Sequence, residues 1–489
     1  MVALADAPVI ILAFVFLASI AAFFLVRRNR RWGEGFALVS SILVFLTILS
    51  LYPALREGGP VVSAYTFFSF PLAIHFRVDH LGYSMALLIS FLWVLAVIYS
   101  RAYMAHNHAL DRYYGFLLAA LGASLGIVMA GDMLGLLLFF ELMAVTSYVL
   151  VIHEEDPPAM FAGGKYIYMA MAAGFAVFFS TILLYFEAGD LAFGSSGLLT
   201  DATPFTLAIF LGFLTGFGIK AGAFPLHVWL PDAHPAAPAP VSALLSGVMV
   251  KIGVFGLIRV FYEVFSIGLI QQAGWHRITL ALAVITILLG SALALRQDDL
   301  KRRLAYSTIA QVGYIYLGLS LLTEVALTGA LFHIFAHAMM KGCLFLCAGA
   351  IILQTGKRRI SHLGGIGLKM PLTMACFTLA ALSMVGIPPF NGFLSKLLLS
   401  LGALDAGAPA YVFLLIISSL LNAAYYLPIV VAAFFAPPGE TGGKSLEAPP
   451  VMLAPIIVLA AGTFVFALAP ANWPLEMARL IAGTMIKHF

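Results

Sequence analysis

Long apolar runs alternate along the chain with short polar or glycine- and proline-rich segments. A bilayer core is crossed by about 20 residues of α-helix, so each run predicts one membrane span. About fourteen spans are predicted, at residues 8–26, 35–54, 79–99, 113–130, 133–152, 166–186, 204–223 (continuing past a break to about 235), 241–263, 276–295, 303–321, 325–353, 371–400, 410–435 and 450–470. The pattern predicts an all-α integral membrane protein.

Two of these spans are interrupted by proline. The seventh breaks at Phe224-Pro225 and the twelfth at Gly386–Pro389, and a lysine lies near each break, Lys220 and Lys396. Spans five apart cross the membrane in opposite directions, and interrupted helices at matching positions of inverted halves are typical of ion or substrate sites. We therefore predict two inverted five-helix repeats, helices 4–8 and helices 9–13, in which helices 7 and 12 are broken.

The predicted organisation is a single membrane domain over residues 1–489. Within it we expect helices 1–3 in residues 1–112, the first repeat in 113–263, the second repeat in 275–435 and helix 14 in 436–489. The polar segments between these parts are too short for a soluble domain.

Composition agrees with a membrane protein. Charged residues make up 10% and hydrophobic residues 62% of the chain, whereas soluble domains carry about 25% charged residues. A net charge of +4 without a basic stripe predicts no nucleic-acid partner. The three cysteines, Cys343, Cys347 and Cys376, form no CxxC pair, so neither a disulfide framework nor an iron–sulfur cluster is predicted.

Basic residues also predict the orientation. Clusters of Lys and Arg follow the first, ninth and eleventh spans: Arg27, Arg28, Arg30 and Arg31, then Arg296, Lys301, Arg302 and Arg303, then Lys357, Arg358 and Arg359. Such clusters mark the inner side of a membrane, and all three connections have the same parity. We expect both termini outside, in a prokaryotic cytoplasmic membrane.

Ionisable side chains within spans cost several kcal/mol and usually line polar interiors. The candidates for a proton path are Glu141, Lys220, Lys251, His333, His337 and Lys396, and the secondary candidates are His227, Asp232, His234 and Lys341. Spacing of four places His333, His337 and Lys341 on one helical stripe about 12 Å long. Burial disfavours a lysine's charge and a nearby carboxylate favours it, so a lysine that gains and loses such a partner can load and release a proton.

Other interpretations of these residues exist. Glu141 and Lys220 could form a structural ion pair, and the two histidines could be hydrogen-bonded core residues. His333 and His337 have the spacing of a zinc helix, but the glutamate of HExxH and a third ligand are missing. No metal, haem or other cofactor is therefore predicted, and no motif for substrate chemistry occurs.

At these positions the sequence resembles the antiporter-like subunits of respiratory complex I, of Mrp-type multisubunit Na⁺/H⁺ antiporters and of energy-converting membrane-bound hydrogenases. The resemblance covers roughly residues 75–435. Its motifs are Phe139–Leu142, Lys220–His234, Val248–Lys251, Asp299–Tyr314, His333–Lys341 and Gly386–Pro389 with Lys396.

The resemblance implies a role for each matched position. Glu141 and Lys220 match a glutamate–lysine pair, Lys251 a central lysine, His333 and His337 a polar central axis, and Lys396 a terminal lysine. It also implies partners: other membrane subunits, homologous antiporter-like ones among them, and iron–sulfur or nickel–iron subunits in the redox complexes.

We therefore expect a proton-translocating subunit that has no redox site of its own and belongs to an oxidoreductase complex. The alternatives are a subunit of a Mrp-type Na⁺/H⁺ antiporter, a self-sufficient secondary cation transporter and a scaffold with degenerate channels. Whether sodium is carried besides protons stays open.

Overall fold

The structure, a computed structural model, describes residues 6–65, 74–194, 197–437, 446–468 and 473–487. The helices of the first half are α1 Ala7–Arg28, α2 Arg30–Ser50, α3 Tyr52–Gly58, α4 His80–Tyr103, α5 Leu110–Met129, α6 Met133–Val151, α7 Pro157–Ala188, α8 Pro204–Ala221, α9 Leu230–Ala236, α10 Ala239–Leu244 and α11 Val250–Arg259. Those of the second half are α12 Ile267–Gln272, α13 His276–Leu295, α14 Leu300–Ser320, α15 Glu324–Thr355, α16 Ile366–Lys369, α17 Pro371–Val385, α18 Asn391–Asp405, α19 Ala410–Phe435, α20 Pro450–Leu468 and α21 Trp473–Lys487.

Within the described ranges, twelve helical segments are long and apolar enough to cross a membrane. One of them is the composite Ala239–Val264, named here the central span, in which π-helical turns at Leu245–Met249 and Val260–Val264 continue α10 and α11. The shorter α17 is apolar as well. A predominantly helical membrane fold is confirmed, and the count of fourteen spans stays a prediction.

Short polar residues begin many of these helices. An Asp or Thr side chain accepts a hydrogen bond from a backbone N–H of the first turn, which satisfies a donor that the helix itself cannot; the caps are Asp79, Asp132, Asp156, Thr203, Asp299 and Thr323. The cap at Asp156 starts α7 nine residues before the predicted span at 166. The predicted span is too short because two prolines, two glycines and Lys165 interrupt the apolar run in the first nine residues of the helix.

Both predicted breaks are confirmed. After α8, Gly222 has φ 74°, and the chain becomes helical again in α9. After α17, Gly386 has φ 90°, and the helix resumes in α18. A positive φ favours glycine because it has no Cβ to clash with the backbone. Each break contains a cis peptide bond, Phe224–Pro225 and Pro388–Pro389.

The same helix order occurs twice. α14, α15 and α17 begin at residues 300, 324 and 371, each 167 residues after α6, α7 and α8 at 133, 157 and 204. α7 and α15 both have 32 residues, and the central span and α19 both have 26. These lengths support the predicted repeat, whose inverted orientation stays a prediction.

The central span and α15 form the core. Their most apolar windows are 100% and 89% buried, against 39% for α1, α7, α13 and α19. α15 packs against α14, α17, α18, α20, α21 and the central span. Ionisable residues on these two elements are therefore surrounded by protein rather than lipid.

Two features were not predicted. Residues 61–78 contain an antiparallel pair of strands, β1 Val61–Tyr65 and β2 Ile74–Val78, in the register Val61 to Val78. α21 follows the last predicted span. The β-branched residues of both strands were a usable signal, but they lie in segments that were interpreted only as connections.

Candidate functional site

Lys220 is the second-last residue of α8, directly before the first break, and only 3% of it is exposed. Its Nζ donates to the hydroxyl of Tyr166 on α7 at 2.8 Å and lies 5.2 Å from the centre of the Tyr166 ring. The Tyr166 hydroxyl also shares a short hydrogen bond with Ser147 of α6. Lys220 is thus held by neutral oxygen.

Glu141 lies on α6 and is partly exposed. It borders a cleft of about 420 Å³ between α6 and α7, and its carboxylate packs against Gly174, where an added Cβ would lie 1.8 Å from Oε1. Lys220 is close enough to act on Glu141 electrostatically, but no ion pair within 4.0 Å joins the two side chains. The predicted partners are neighbours and are not in contact.

Lys251 lies on α11 and is completely buried. Its Nζ donates a short hydrogen bond to the Ser246 carbonyl in the first π-helical turn of the central span. The Ser246 hydroxyl bonds to Thr308 of α14 at 2.6 Å. Ser246 therefore contacts both Lys251, through its carbonyl, and α14, through its hydroxyl.

The predicted stripe on α15 is confirmed as a buried row. His333 and His337 stack with ring centres 5.7 Å apart, and His333 Nδ1 lies 2.9 Å from the Ser395 hydroxyl beside Lys396. Both ring nitrogens of His337 and Nε2 of His333 are buried without a protein partner. Buried polar atoms of this kind are normally satisfied by water, so the row suits a hydrated path.

Lys341 continues the row toward α14 and α19. Its Nζ donates to the Leu304 carbonyl at 2.8 Å, to the Tyr426 hydroxyl at 3.1 Å and, through a short contact, to Ser307. The Ser307 and Tyr426 hydroxyls are themselves hydrogen-bonded at 2.8 Å.

Lys396 lies on α18 just after the second break, and 7% of it is exposed. Its Nζ donates to the carbonyls of Met384 and Val385 at 2.9 and 2.8 Å and to the Ser419 hydroxyl at 3.0 Å. The ammonium therefore binds the last carbonyls of α17, where the helix dipole favours a cation.

The three candidates at the first break lie in different surroundings. Asp232 of α9 is bound by Lys165 at 2.7 Å and by Arg302 at 2.6 Å, which links α7, α9 and α14. His227 stacks on Phe224, with ring centres 5.1 Å apart. His234 is completely buried and stacks on Phe345 at 4.7 Å.

Sequence reasoning missed a buried charge cluster at the ends of α4 and the central span. Arg259 binds Asp79 through two bonds of 2.6 and 2.9 Å and Glu263 at 2.6 Å, and Arg77 lies 3.5 Å from Asp79. Burial alone would raise the pKa of Asp79, but the Arg259 guanidinium outweighs it and holds that pKa well below its usual range. The spacing of four between Arg259 and Glu263 was an available signal.

It also missed the hydroxyls that bind the lysines. These hydroxyls lie on other helices, distant in sequence from the lysines that they contact, and belong to Tyr166, Ser307, Ser419 and Tyr426. No periodicity in a single sequence could have paired them.

The fold and these buried lysines and histidines define a multi-pass membrane protein of the antiporter-like class. Residues 130–422 match the family "NADH:quinone oxidoreductase/Mrp antiporter, TM", and residues 65–114 match "NADH-Ubiquinone oxidoreductase (complex I), chain 5 N-terminus". The chain belongs to this family, as its motifs predicted.

Curated relatives agree. The chain is 35% identical to NADH-quinone oxidoreductase subunit N of Desulforudis audaxviator, over 95% of this chain and 96% of that protein. It is also 35% identical to hydrogenase-4 component B of Escherichia coli, over 93% of this chain and 71% of that protein.

Two solved structures share the fold. A chain of the Mrp complex from Dietzia sp. superposes with a TM-score of 0.87 at 24% identity, covering 99% of this chain and 98% of that chain. A chain of the membrane-bound sulfane sulfur reductase, an archaeal respiratory membrane complex, superposes with a TM-score of 0.89 at 25% identity, covering 98% of both.

Proposed function

We propose that this chain is a proton-translocating membrane subunit of a multisubunit energy-converting complex. Protons enter from the inner side near Lys220, pass Lys251 and the His333–His337 row, and leave to the outer side by Lys396. Partner subunits supply the driving force through electrostatic coupling. The basic clusters after the first, ninth and eleventh predicted spans support an orientation with both termini outside a prokaryotic cytoplasmic membrane.

One observation carries the proposal. Among the described residues, no carboxylate lies within 4.0 Å of Lys220, Lys251, Lys341 or Lys396, and each of these buried ammonium groups binds only neutral oxygens. A buried cation without a counter-ion is costly. The free energy supplied by the partner subunits can therefore remove the proton from such a lysine, whereas a carboxylate in an ion pair would hold the proton on it.

The test replaces Lys220 with Met and, separately, Glu141 with Gln in the intact complex. Proton transport into membrane vesicles should fall by roughly tenfold or more, because a required proton carrier or its partner is lost. The subunits should still co-purify. The control is Lys357→Met in a connecting loop, which should transport normally. Undiminished transport in the Lys220 and Glu141 variants would rule the path out.

A second candidate is a component of a Mrp-type cation/proton antiporter. Relatives named as components of Na(+)/H(+) antiporters support it; the one from Alkalihalophilus pseudofirmus is 35% identical over 78% of this chain and 49% of that protein. Co-purifying redox subunits would favour the first candidate, and sodium-dependent proton movement without them would favour the second. Transport by the lone chain in liposomes would instead indicate a self-sufficient transporter.

A further inference from the structure

We propose that Tyr166 is a positioning residue for proton transfer, which holds Lys220 at a second docking position away from Glu141. This inference rests on the proposed function, since it assigns the structure's own contact to one stage of the Lys220 cycle. Tyr166 is not among the residues that the sequence motifs suggested.

The contact is built from three helices. Tyr166 on α7 is 1% exposed, accepts from Lys220 of α8 at 2.8 Å and bonds to Ser147 of α6. Ser147 in turn donates to carbonyls of its own helix. The hydroxyl is thus fixed in place on the side opposite the lysine.

The carboxylate position is separate. Glu141 contacts Gly174, which lies eight residues beyond Tyr166 on α7, or about 12 Å along the helix axis. A lysine side chain is long and flexible, with its charge at the tip of a four-carbon stem. Lys220 therefore has two polar partners that it cannot bind equally well at the same time.

The two partners treat the proton differently. A carboxylate is negatively charged, so it stabilises the ammonium form of the lysine much more than the neutral amine. The Tyr166 hydroxyl is neutral and accepts a hydrogen bond from either form of the lysine, so it stabilises the ammonium charge less than a carboxylate does. Movement of Lys220 from Glu141 to Tyr166 consequently eases release of its proton to the next carrier.

Tyr166 also contacts the break. Its ring packs edge-on against Trp229 at 5.1 Å, and the Trp229 indole donates to the carbonyl of Ile219 at 2.7 Å, the residue before Lys220. The docking position of the lysine and the backbone at the end of α8 are therefore held by the same pair of aromatic side chains.

The experiment uses Tyr166→Phe in the intact complex and measures proton transport from about pH 5.5 to 9. Phe keeps the ring contact with Trp229 and removes only the hydroxyl. With Glu141 left as the competing partner, the ammonium form is favoured and deprotonation needs a higher pH. We expect the midpoint of the pH–rate profile to move up by about half to one unit, the size of one lost hydrogen bond. A purely structural role would lower the rate at all pH values alike.

Two further variants provide a control and a milder change at the same contact. Tyr114→Phe removes a buried hydroxyl that has no protein partner and should leave the profile unchanged. Ser147→Ala loosens the Tyr166 hydroxyl without removing it and should shift the midpoint upward by less. If Tyr166→Phe fails to assemble, the Ser147 variant carries the test.

The outcomes separate the two proposals. If Lys220→Met and Glu141→Gln block transport but Tyr166→Phe and Ser147→Ala keep the original midpoint, the role of Tyr166 is refuted and the proton path stands. If all four variants transport normally, the proton path itself is refuted.

Discussion

The lysines at the two breaks are held in different ways. Lys220 precedes its break and binds a side-chain hydroxyl, with a carboxylate nearby. Lys396 follows its break and binds two backbone carbonyls and a serine. The first lysine can exchange one side-chain partner for another, while the second is fixed to the helix end itself. On the proposed path, the exchangeable contact would lie where protons enter and the fixed contact where they leave.

The duplicated helix order extends this contrast. Glu141 is the ninth residue of α6, and the ninth residue of α14 is Thr308. Gly174 is the eighteenth residue of α7, and the eighteenth residue of α15 is Lys341. In the first half, Glu141 packs against Gly174. The equivalent positions of the second half hold Thr308, a neutral hydroxyl, and Lys341, a base. The same framework carries opposite charge in its two halves.

The strongest test of the comparison replaces each break lysine with arginine. A guanidinium can donate to the same oxygens but cannot be deprotonated in a protein. Transport should fall by roughly tenfold or more in both Lys220→Arg and Lys396→Arg, measured in vesicles, with subunit composition unchanged. Normal transport in Lys396→Arg would show that the second site needs a cation and not a proton carrier, and the two sites would then differ in kind.

A second prediction contrasts unpaired lysines with the paired Arg259. Arg259→Met leaves Asp79 and Glu263 buried without their main counter-ion, and breaking such a pair costs about 3–5 kcal/mol. Lys396→Met removes a cation that has no ion pair, so the free energy of unfolding should change far less. Denaturant unfolding in detergent measures both. Equal losses would mean that Lys396 is as structural as Arg259.

The smallest expected effect comes from the glycine beside Glu141. In Gly174→Ala the new Cβ must displace the carboxylate, because it would otherwise lie only 1.8 Å from Oε1. The far end of a glutamate moves easily, so stability should hold while transport falls between about twofold and tenfold.

Gly164→Ala on the same helix is the matched control, since an added Cβ there meets nothing within 4 Å. Both variants gain the same helix propensity, about 0.5–1 kcal/mol. If the two transport alike, the position of Glu141 is unimportant and the first half is less specialised than the comparison requires.

The sequence was most informative where lipid leaves few alternatives. Apolar runs have essentially one solution in a bilayer, so α13 and α19 were predicted to the residue. Glycine and proline located both breaks. The cost of burying charge identified Lys251 and the α15 row. These are local signals that a single chain displays.

Contacts between distant segments were not predictable. Tyr166 is 54 residues from Lys220 in sequence, and nothing in either segment indicates their meeting. The same applies to Asp79 and Arg259, 180 residues apart. Glu141 and Lys220 were paired by resemblance, and the structure shows that a family motif fixes which residues are neighbours but not which hydrogen bonds they make.

The contact of Lys396 with the end of α17 has a mechanical consequence. An ammonium carries three hydrogens for its three oxygen partners, and a neutral amine carries only two. On the proposed path, a Lys396 amine that has given up its proton would hold at most two of these three oxygens, so the contact between Lys396 and the end of α17 would have to rearrange. Each proton that passes would then also change the hydrogen bonds at the second break.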